Sequence, residues 1–223
     1  RALLNESFSV VFQPIISVKT GKTIAAEALL RLVDDAGSAI SPVEFIPVAE
    51  QTGAIHRIGD MVIRKACQFL RQVRSSGFTL GMLEVNLSPI QCLQPNLSQR
   101  IVTIIQEFSL EPHELCFEIT ETAANRSPAV IKRNLDSLVT AGFCIAVDDF
   151  GTGYSNITGL MDLPFRIVKL DRSLIVSMDR SENGRLGLEG VVAMFKKMNT
   201  ELVAEGVETE EQAARISAMN IEY

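Results

Sequence analysis

The stretch FCIAVDDFGTG, Phe143 to Gly153, decides the reading of the fold. Phe143 to Val147 is a short apolar run with β-branched residues, the signature of a buried strand. It ends on two adjacent carboxylates, Asp148 and Asp149, followed by a glycine-punctuated turn. Two like charges at the mouth of a buried strand raise each other's pKa unless a cation lies between them. What matters next is which other residues the chain can bring alongside.

The strand pattern recurs. Candidates occur at 9–16, 23–30, 82–87, 115–120, 143–148, 166–170 and 201–206, and Ile221 to Tyr223 reads as the opening of another. Amphipathic helical segments run over 42–50, 54–75, 97–108, 128–141, 184–198 and 208–219. In the longest, Ile55, Ile58, Met61, Val62, Cys67, Phe69 and Leu70 fall at spacings that form one apolar face. Pro42 after Ser41 and Pro128 after Ser127 suit helix starts, and Gly77 and Gly142 suit helix ends. SVKTGK (17–22) is only a turn, so the first two strands are expected to form an antiparallel hairpin. Alternation of strand and helix over the rest predicts an α/β fold with a parallel sheet, either doubly wound or closed into a (β/α)8 barrel.

The polar residues choose between them. Glu27, Asn86, Glu118, Asp148 with Asp149, Lys169 and Glu205 stand at or near the C-terminal ends of six strand candidates. An open sheet would spread them along a line, whereas a closed barrel gathers them on one rim. Each has an ordinary explanation by itself: a solvated rim glutamate, a turn cap at Asn86, an ion pair at Lys169, turn chemistry at Asp148–Asp149. Their joint occurrence at the same place on successive strands favours a shared oxygen-rich cation site. With only His56 and His113 present, a histidine-rich zinc site is disfavoured, and magnesium, manganese or calcium fits. The tripeptide DFG does not signal a kinase, because no HRD-type loop precedes it, and GTG is not a dinucleotide fingerprint.

The totals narrow the class. The 223 residues are 47% hydrophobic, enough for a substantial core. A net charge of −6 argues against a nucleic-acid polymer or an anionic membrane as partner, though not against a phosphate held through metal ions. Cys67, Cys92, Cys116 and Cys144 form no CxxC pair and read as reduced, buried thiols of a cytoplasmic protein. No apolar run approaches the roughly 20 residues of a membrane span, and no leader pattern opens the chain. RALLNESF at the start reads as the tail of a helix cut midway, so a piece of a longer chain is expected.

FQPI (12–15), EALLR (27–31), SPVEFIPVAEQTG (41–53), NLSP (86–89), EITE (118–121), DDFGTGYSN (148–156), KLDRS (169–173) and VAEGVET (203–209) together resemble the EAL domain family, in order and spacing, over essentially the whole chain. The resemblance implies a TIM-like (β/α)8 barrel with an antiparallel first strand, and a phosphodiesterase that opens cyclic di-GMP to linear pGpG in bacterial signalling. It implies two Mg2+ or Mn2+ ions, with Ca2+ inhibitory. Glu27, Asn86, Glu118 and Asp148 are implied metal ligands, and Asp149 binds the second ion. Lys169 and Glu205, with Asp149, position and activate the attacking water; the identity of the base stays open. Glu121 is implied to hold the DFGTG loop, Gln13 and Arg31 to contact ligand, and Asp171 and Glu208 to support substrate binding. A homodimer, and an upstream diguanylate-cyclase-like or sensor domain, also follow from the resemblance. A catalytically silent cyclic di-GMP receptor is the alternative, disfavoured because no motif is lost. From the residues alone, a metal-dependent barrel acting on another phosphate or a sugar is equally open.

Three departures are expected to matter. Leu32 replaces a usual tryptophan, implying altered packing or guanine-side contacts. Arg166 stands where an aspartate is common and is expected to perturb ligand or dimer contacts. The family pattern continues past Tyr223 with a further strand and helix, so 1–223 reads as a single domain incomplete at its C-terminus.

Overall fold

A computed structural model describes residues 7–121, 128–152 and 157–223. Strand β1 (Phe8–Ile16) and β2 (Thr23–Val33) form the expected antiparallel hairpin, and β3 (Ala39–Ile40) adds to the far end of β2. Then follow α1 (Pro42–Gln51), α2 (Ile55–Ser75), β4 (Met82–Asn86), α3 (Pro89–Cys92), α4 (Leu97–Glu107), β5 (Leu115–Thr120), α5 (Pro128–Thr140) and β6 (Cys144–Phe150). The chain continues with α6 (Ile157–Met161), β7 (Ile167–Leu170), α7 (Arg172–Arg180), α8 (Glu182–Lys197), β8 (Glu201–Ala204) and α9 (Glu210–Ala218).

The strands pair in the order β1-β2-β4-β5-β6-β7-β8, parallel from β2 onward, in a sheet that curls into a TIM-like barrel. The last two residues lie across the seam. Tyr223 exchanges backbone bonds with Leu202 and Ala204 of β8, and the Glu222 carbonyl accepts from Val18 N–H at 3.0 Å, just past β1. The backbone thus begins the strand that the ending Ile221–Tyr223 suggested.

Alternation divides each strand between two environments. Leu115, Phe117 and Ile119 of β5 face the helices, as do Ile145 and Val147 of β6 and Val168 and Leu170 of β7; all are buried. The other parity lines the barrel interior. The helices are built to cover the outer face: α2 buries Ile55, Ile58, Val62, Ile63, Ala66, Cys67 and Leu70 along one stripe. Phe69 on the same helix stacks on Phe12 of β1 at 3.8 Å between ring centres. Ser41 and Glu44 close a capping box at α1, with Pro42 at its first position. Gly77 and Gly142 have φ of 78° and 101°, the left-handed conformation that ends α2 and α5. No described helix is long and apolar enough to cross a membrane.

Leu32 is buried in the helix-side core, opposite Phe8, so the departure there is one of packing. Arg166 corrects an expectation. It precedes β7 at the N-terminal end of the barrel, away from the acidic rim, and pairs with Glu201 at 2.7 Å; a role in ligand contact at the rim is overturned by the strand's direction.

Candidate active site

Inward parity sends Glu27 from β2, Asn86 from β4, Glu118 from β5, Asp148 from β6 and Lys169 from β7 to one end of the barrel, with Glu205 just beyond β8. Lys169 is the hub. Its Nζ lies 2.9 Å from Glu27 Oε2, 2.6 Å from Glu118 Oε1, 3.2 Å from Asp148 Oδ1 and 2.9 Å from Glu205 Oε1. The Lys169 side chain is only 2% exposed, and that of Glu118 is fully buried. Asn86 Nδ2 donates to Glu27 Oε1 at 2.8 Å. Glu27 is not at a strand end as expected. It sits in mid-strand, because β2 runs on past the barrel rim to pair with β1 and β3, while the parallel pairing with β4 stops at Ala28.

A simple strand would point Asp148 inward and Asp149 outward. The chain avoids this by a bulge: Val147 faces Val168 and Phe150 faces Leu170, so β6 carries one residue more than β7 between them. Asp149 takes up the extra residue with φ of 55°, a left-handed conformation sparse for a side-chain-bearing residue. Thr152 then folds back, its N–H and hydroxyl both donating to the Asp149 carbonyl. The result is that Asp148, Asp149 and Glu205 each bring a carboxylate oxygen within 4.8 Å of the others. Both acids of DDFG therefore face one place, where a cation would relieve their repulsion.

The electrostatics are unbalanced. Burial alone would push Glu27 up, but the Lys169 charge and hydrogen bond outweigh it and hold its carboxyl below the ordinary range. Lys169 would be lowered by burial, yet Glu118, Asp148, Glu27 and Glu205 together raise it well above the usual lysine value, so it stays charged. Burial pushes Glu118 far up, against the pull of Lys169. Burial and then Asp148 raise Asp149, and burial raises Glu205. One ammonium cannot neutralise this many acids. Oε2 of Glu118 is buried with no hydrogen-bond partner, and Asp148 Oδ1 has none beyond its ion pair with Lys169. Orphaned buried oxygens in an acid-rich set fit a hard divalent cation.

Glu84 was missed by the sequence reading. It is 1% exposed, one inward step below Asn86, and burial raises its carboxyl above the ordinary range. The signal was available: along Met82-Leu83-Glu84-Val85-Asn86, period-two alternation puts Glu84 on the face of Asn86.

The remaining expected residues are more scattered. Gln13 faces Glu27 across the β1–β2 register. Gln13, Glu27, Asp148, Asp149, Lys169 and Glu205 share a cavity of about 670 Å3. Arg31 and Asn86 line a second, of about 430 Å3, which also touches Glu27 and Asp148. The Arg31 guanidinium donates to the Leu30 carbonyl at 3.0 Å. Asp171 caps α7 through the Ser173 N–H at 2.7 Å. Glu208 is exposed and pairs with Arg172 at 2.8 Å. Glu121 is buried immediately after β5, but Gly153 to Asn156 of the loop it was expected to hold lie outside the described residues.

Fold and site together define a TIM-like barrel with an acidic, cation-seeking rim at the C-terminal ends of its strands. The chain belongs to the EAL domain family, which it matches over residues 1–223. It is 34% identical to the oxygen sensor protein DosP of Escherichia coli over 95% of this chain and 26% of that protein. It is 35% identical to the bifunctional diguanylate cyclase/cyclic di-GMP phosphodiesterase MucR of Pseudomonas aeruginosa over 95% of this chain and 31% of that one. The chain therefore spans about a quarter to a third of the length of these relatives. Among solved structures it superposes on the MucR phosphodiesterase in complex with c-di-GMP with a TM-score of 0.91, at 33% identity, covering 99% of this chain and 90% of that one. On the FimX EAL domain of P. aeruginosa bound to c-di-GMP the TM-score is 0.88, at 25% identity, over 100% and 89%.

Proposed function

We propose that this chain is a metal-dependent phosphodiesterase that hydrolyses cyclic di-GMP to linear pGpG. The observation that carries the reading is the set of four carboxylates within 3.2 Å of the single buried Lys169 ammonium, with Asp149 beside them. Glu27, Asn86, Glu118 and Asp148 would hold one Mg2+ or Mn2+, and Asp149 with Glu205 and Asp148 a second. Bound there, such ions neutralise a phosphodiester and lower the pKa of a coordinated water. Lys169, with its charge fixed by its neighbours, donates to the attacking water or a phosphoryl oxygen. Glu205 or Asp149, each with a raised pKa, accepts the water's proton. Gln13 and Arg31 lie in the two cavities that meet at Glu27 and Asp148, a layout suited to an extended dinucleotide whose phosphate sits between two bases. Arg31 offers a planar fork to phosphate that a lysine cannot imitate. Asp171, Glu208 and Glu121 support the surrounding loops.

The same reading takes the chain as one domain of a longer cytoplasmic protein with a cyclase-like or sensor domain upstream, working as a homodimer. Retention of the acids and the lysine favours turnover over silent binding. Incubation with cyclic di-GMP and Mn2+ or Mg2+ should yield pGpG, and Ca2+ should bind yet support little turnover. Glu27→Ala should abolish the product. Binding without pGpG from the unaltered protein would leave the receptor reading; turnover by Glu27→Ala would remove Glu27 from the metal shell.

A further inference from the structure

Two of the four cysteines meet. The β5–β6 register sets Cys116 directly opposite Cys144, and the two side chains pack in one cluster. Both belong to a small inward cluster with Ala146, Ile167 and Val203, at the barrel end opposite the acidic rim. Neighbouring strands stand about 4.8 Å apart, inside the Cα separation that a disulfide spans. Both are free thiols.

The two differ in access. Cys116 is fully buried, whereas Cys144 is half-buried and lines a floor cavity of about 560 Å3 with Met82, Glu84, His113, Arg166 and Tyr223. The Cys116 contact, and then the Arg166 guanidinium, pull the Cys144 thiol below its usual range despite burial. Cys67 and Cys92 contrast with it: both are fully buried on the helical layer, and burial pushes their thiols up to about 12. A small oxidant entering the floor cavity reaches one thiol whose neighbour is already in place to resolve it.

We propose that Cys116 and Cys144 are a reversible redox modification site, closed to a disulfide across the barrel floor by hydrogen peroxide. The Cys144 thiolate attacks one peroxide oxygen, the O–O bond breaks, and the departing hydroxide takes the thiol proton as water. The Cys116 sulfur then attacks the resulting sulfenic acid, forming the S–S bond and releasing a second water. In sum two thiols and one peroxide give one disulfide and two waters, each sulfur losing one electron and each oxygen gaining one. A dithiol reductant reverses it by exchange.

The bond has a reach beyond itself. Glu118 lies two residues beyond Cys116 on the same face of β5, and Asp148 four residues beyond Cys144 on β6. Drawing the two strands together at the floor changes the spacing of these carboxylates at the rim. This second part rests on the phosphodiesterase reading; the thiol chemistry does not.

The test uses the full-length protein, treated with hydrogen peroxide, alkylated, digested and mapped by mass spectrometry, with pGpG formation followed in parallel. A Cys116–Cys144 cross-linked peptide that disappears on dithiothreitol treatment is the expected result. With it, turnover should drop roughly 10- to 100-fold, the size of effect seen when support for a metal ligand is lost, and recover on reduction. Cys144→Ser should remove both responses, while a Cys67→Ser/Cys92→Ser variant keeps them. Peroxide treatment that leaves both thiols free, or stops at a sulfinic acid on Cys144, overturns the site; the map of the unaltered protein needs no variant to fold. A cross-link that leaves turnover unchanged overturns the coupling to the rim. A cross-link in a protein that makes no pGpG in either redox state sinks the enzyme reading and leaves the modification site standing.

Discussion

The same strands build both ends of the barrel, and the two ends have opposite electrical characters. At the rim, Lys169 faces Glu27, Glu118, Asp148 and Glu205 with Asp149 alongside, more acids than one ammonium can balance, largely withdrawn from water. At the floor, Arg166 and Glu201 neutralise each other at the surface, and the inward residues include Ile15, Met82, Ile167, Val203 and two thiols, with Glu84 above them. The difference teaches where the sequence has been spent on stability and where on a ligand. A floor whose surface charges are matched and whose lining is mostly apolar, with Glu84 its one buried acid among the described residues, asks for no cation of its own. A rim with uncompensated buried acids is costly until a cation arrives.

Substitutions at the two ends should therefore separate cleanly. The largest effect is expected from Lys169→Met, which should lower turnover roughly 10²–10³-fold, as loss of a pre-placed donor does. Rates from the purified variant with saturating Mn2+ decide this, and an unchanged rate would end the role of Lys169. Ile167→Ala at the floor should cost about 2 kcal/mol in urea unfolding, the low end for such truncations because Ile167 already borders a cavity. Its turnover per folded molecule should stay the same; a rate loss matching that of the lysine variant would erase the division between the ends.

A third prediction concerns protons. Glu84, Glu118, Asp149 and Glu205 have carboxyls raised by burial, so the folded metal-free chain holds protons that the unfolded chain has released. Its stability should then fall as pH rises from about 5 toward 8. Glu27, which is lowered, works the other way, but only below the ordinary carboxylate range. Lys169 is raised, so its contribution is complete below 10.5 and is lost only in strong alkali. Mn2+ should bind more tightly over the same rise in pH and release protons as it does. Calorimetry in two buffers of different ionisation enthalpy reads this, and proton-neutral binding would mean the acids are already ionised. The smallest effect belongs to Glu201→Gln, which should shift unfolding by less than about 1 kcal/mol, because the Arg166 side chain it frees is 72% exposed.

Much of this architecture could be read from the chain alone, for a physical reason. Parallel strands buried on both faces give apolar runs, and Glu118 and Asp148 interrupt them where the barrel opens. Glu27 was misplaced within its strand because a hairpin that outgrows the barrel leaves no mark in hydrophobic spacing. The orientation of Asp149 depends on a one-residue bulge, which pairing with β7 imposes and no local pattern announces. Glu84 looked like an ordinary polar strand residue, because a lone acid among apolar neighbours is usually solvated. Helix α7 escaped notice because Arg172–Arg180 mixes polar and apolar residues over too short a span, burying only Ile175 and Met178. The Cys116–Cys144 contact was equally hidden: residues 28 positions apart in sequence become neighbours only once strand register is fixed.

The reversed direction of β1 has one more consequence. In a barrel whose strands all run the same way, the polypeptide enters from beneath and must climb to the business end. Here Phe8 stands on the upper side, level with Leu32 and well above Glu27, and the chain descends from it to Ile16. Any tug transmitted through the segment ahead of Phe8 would thus arrive beside the acidic rim itself, with no need to travel through the interior.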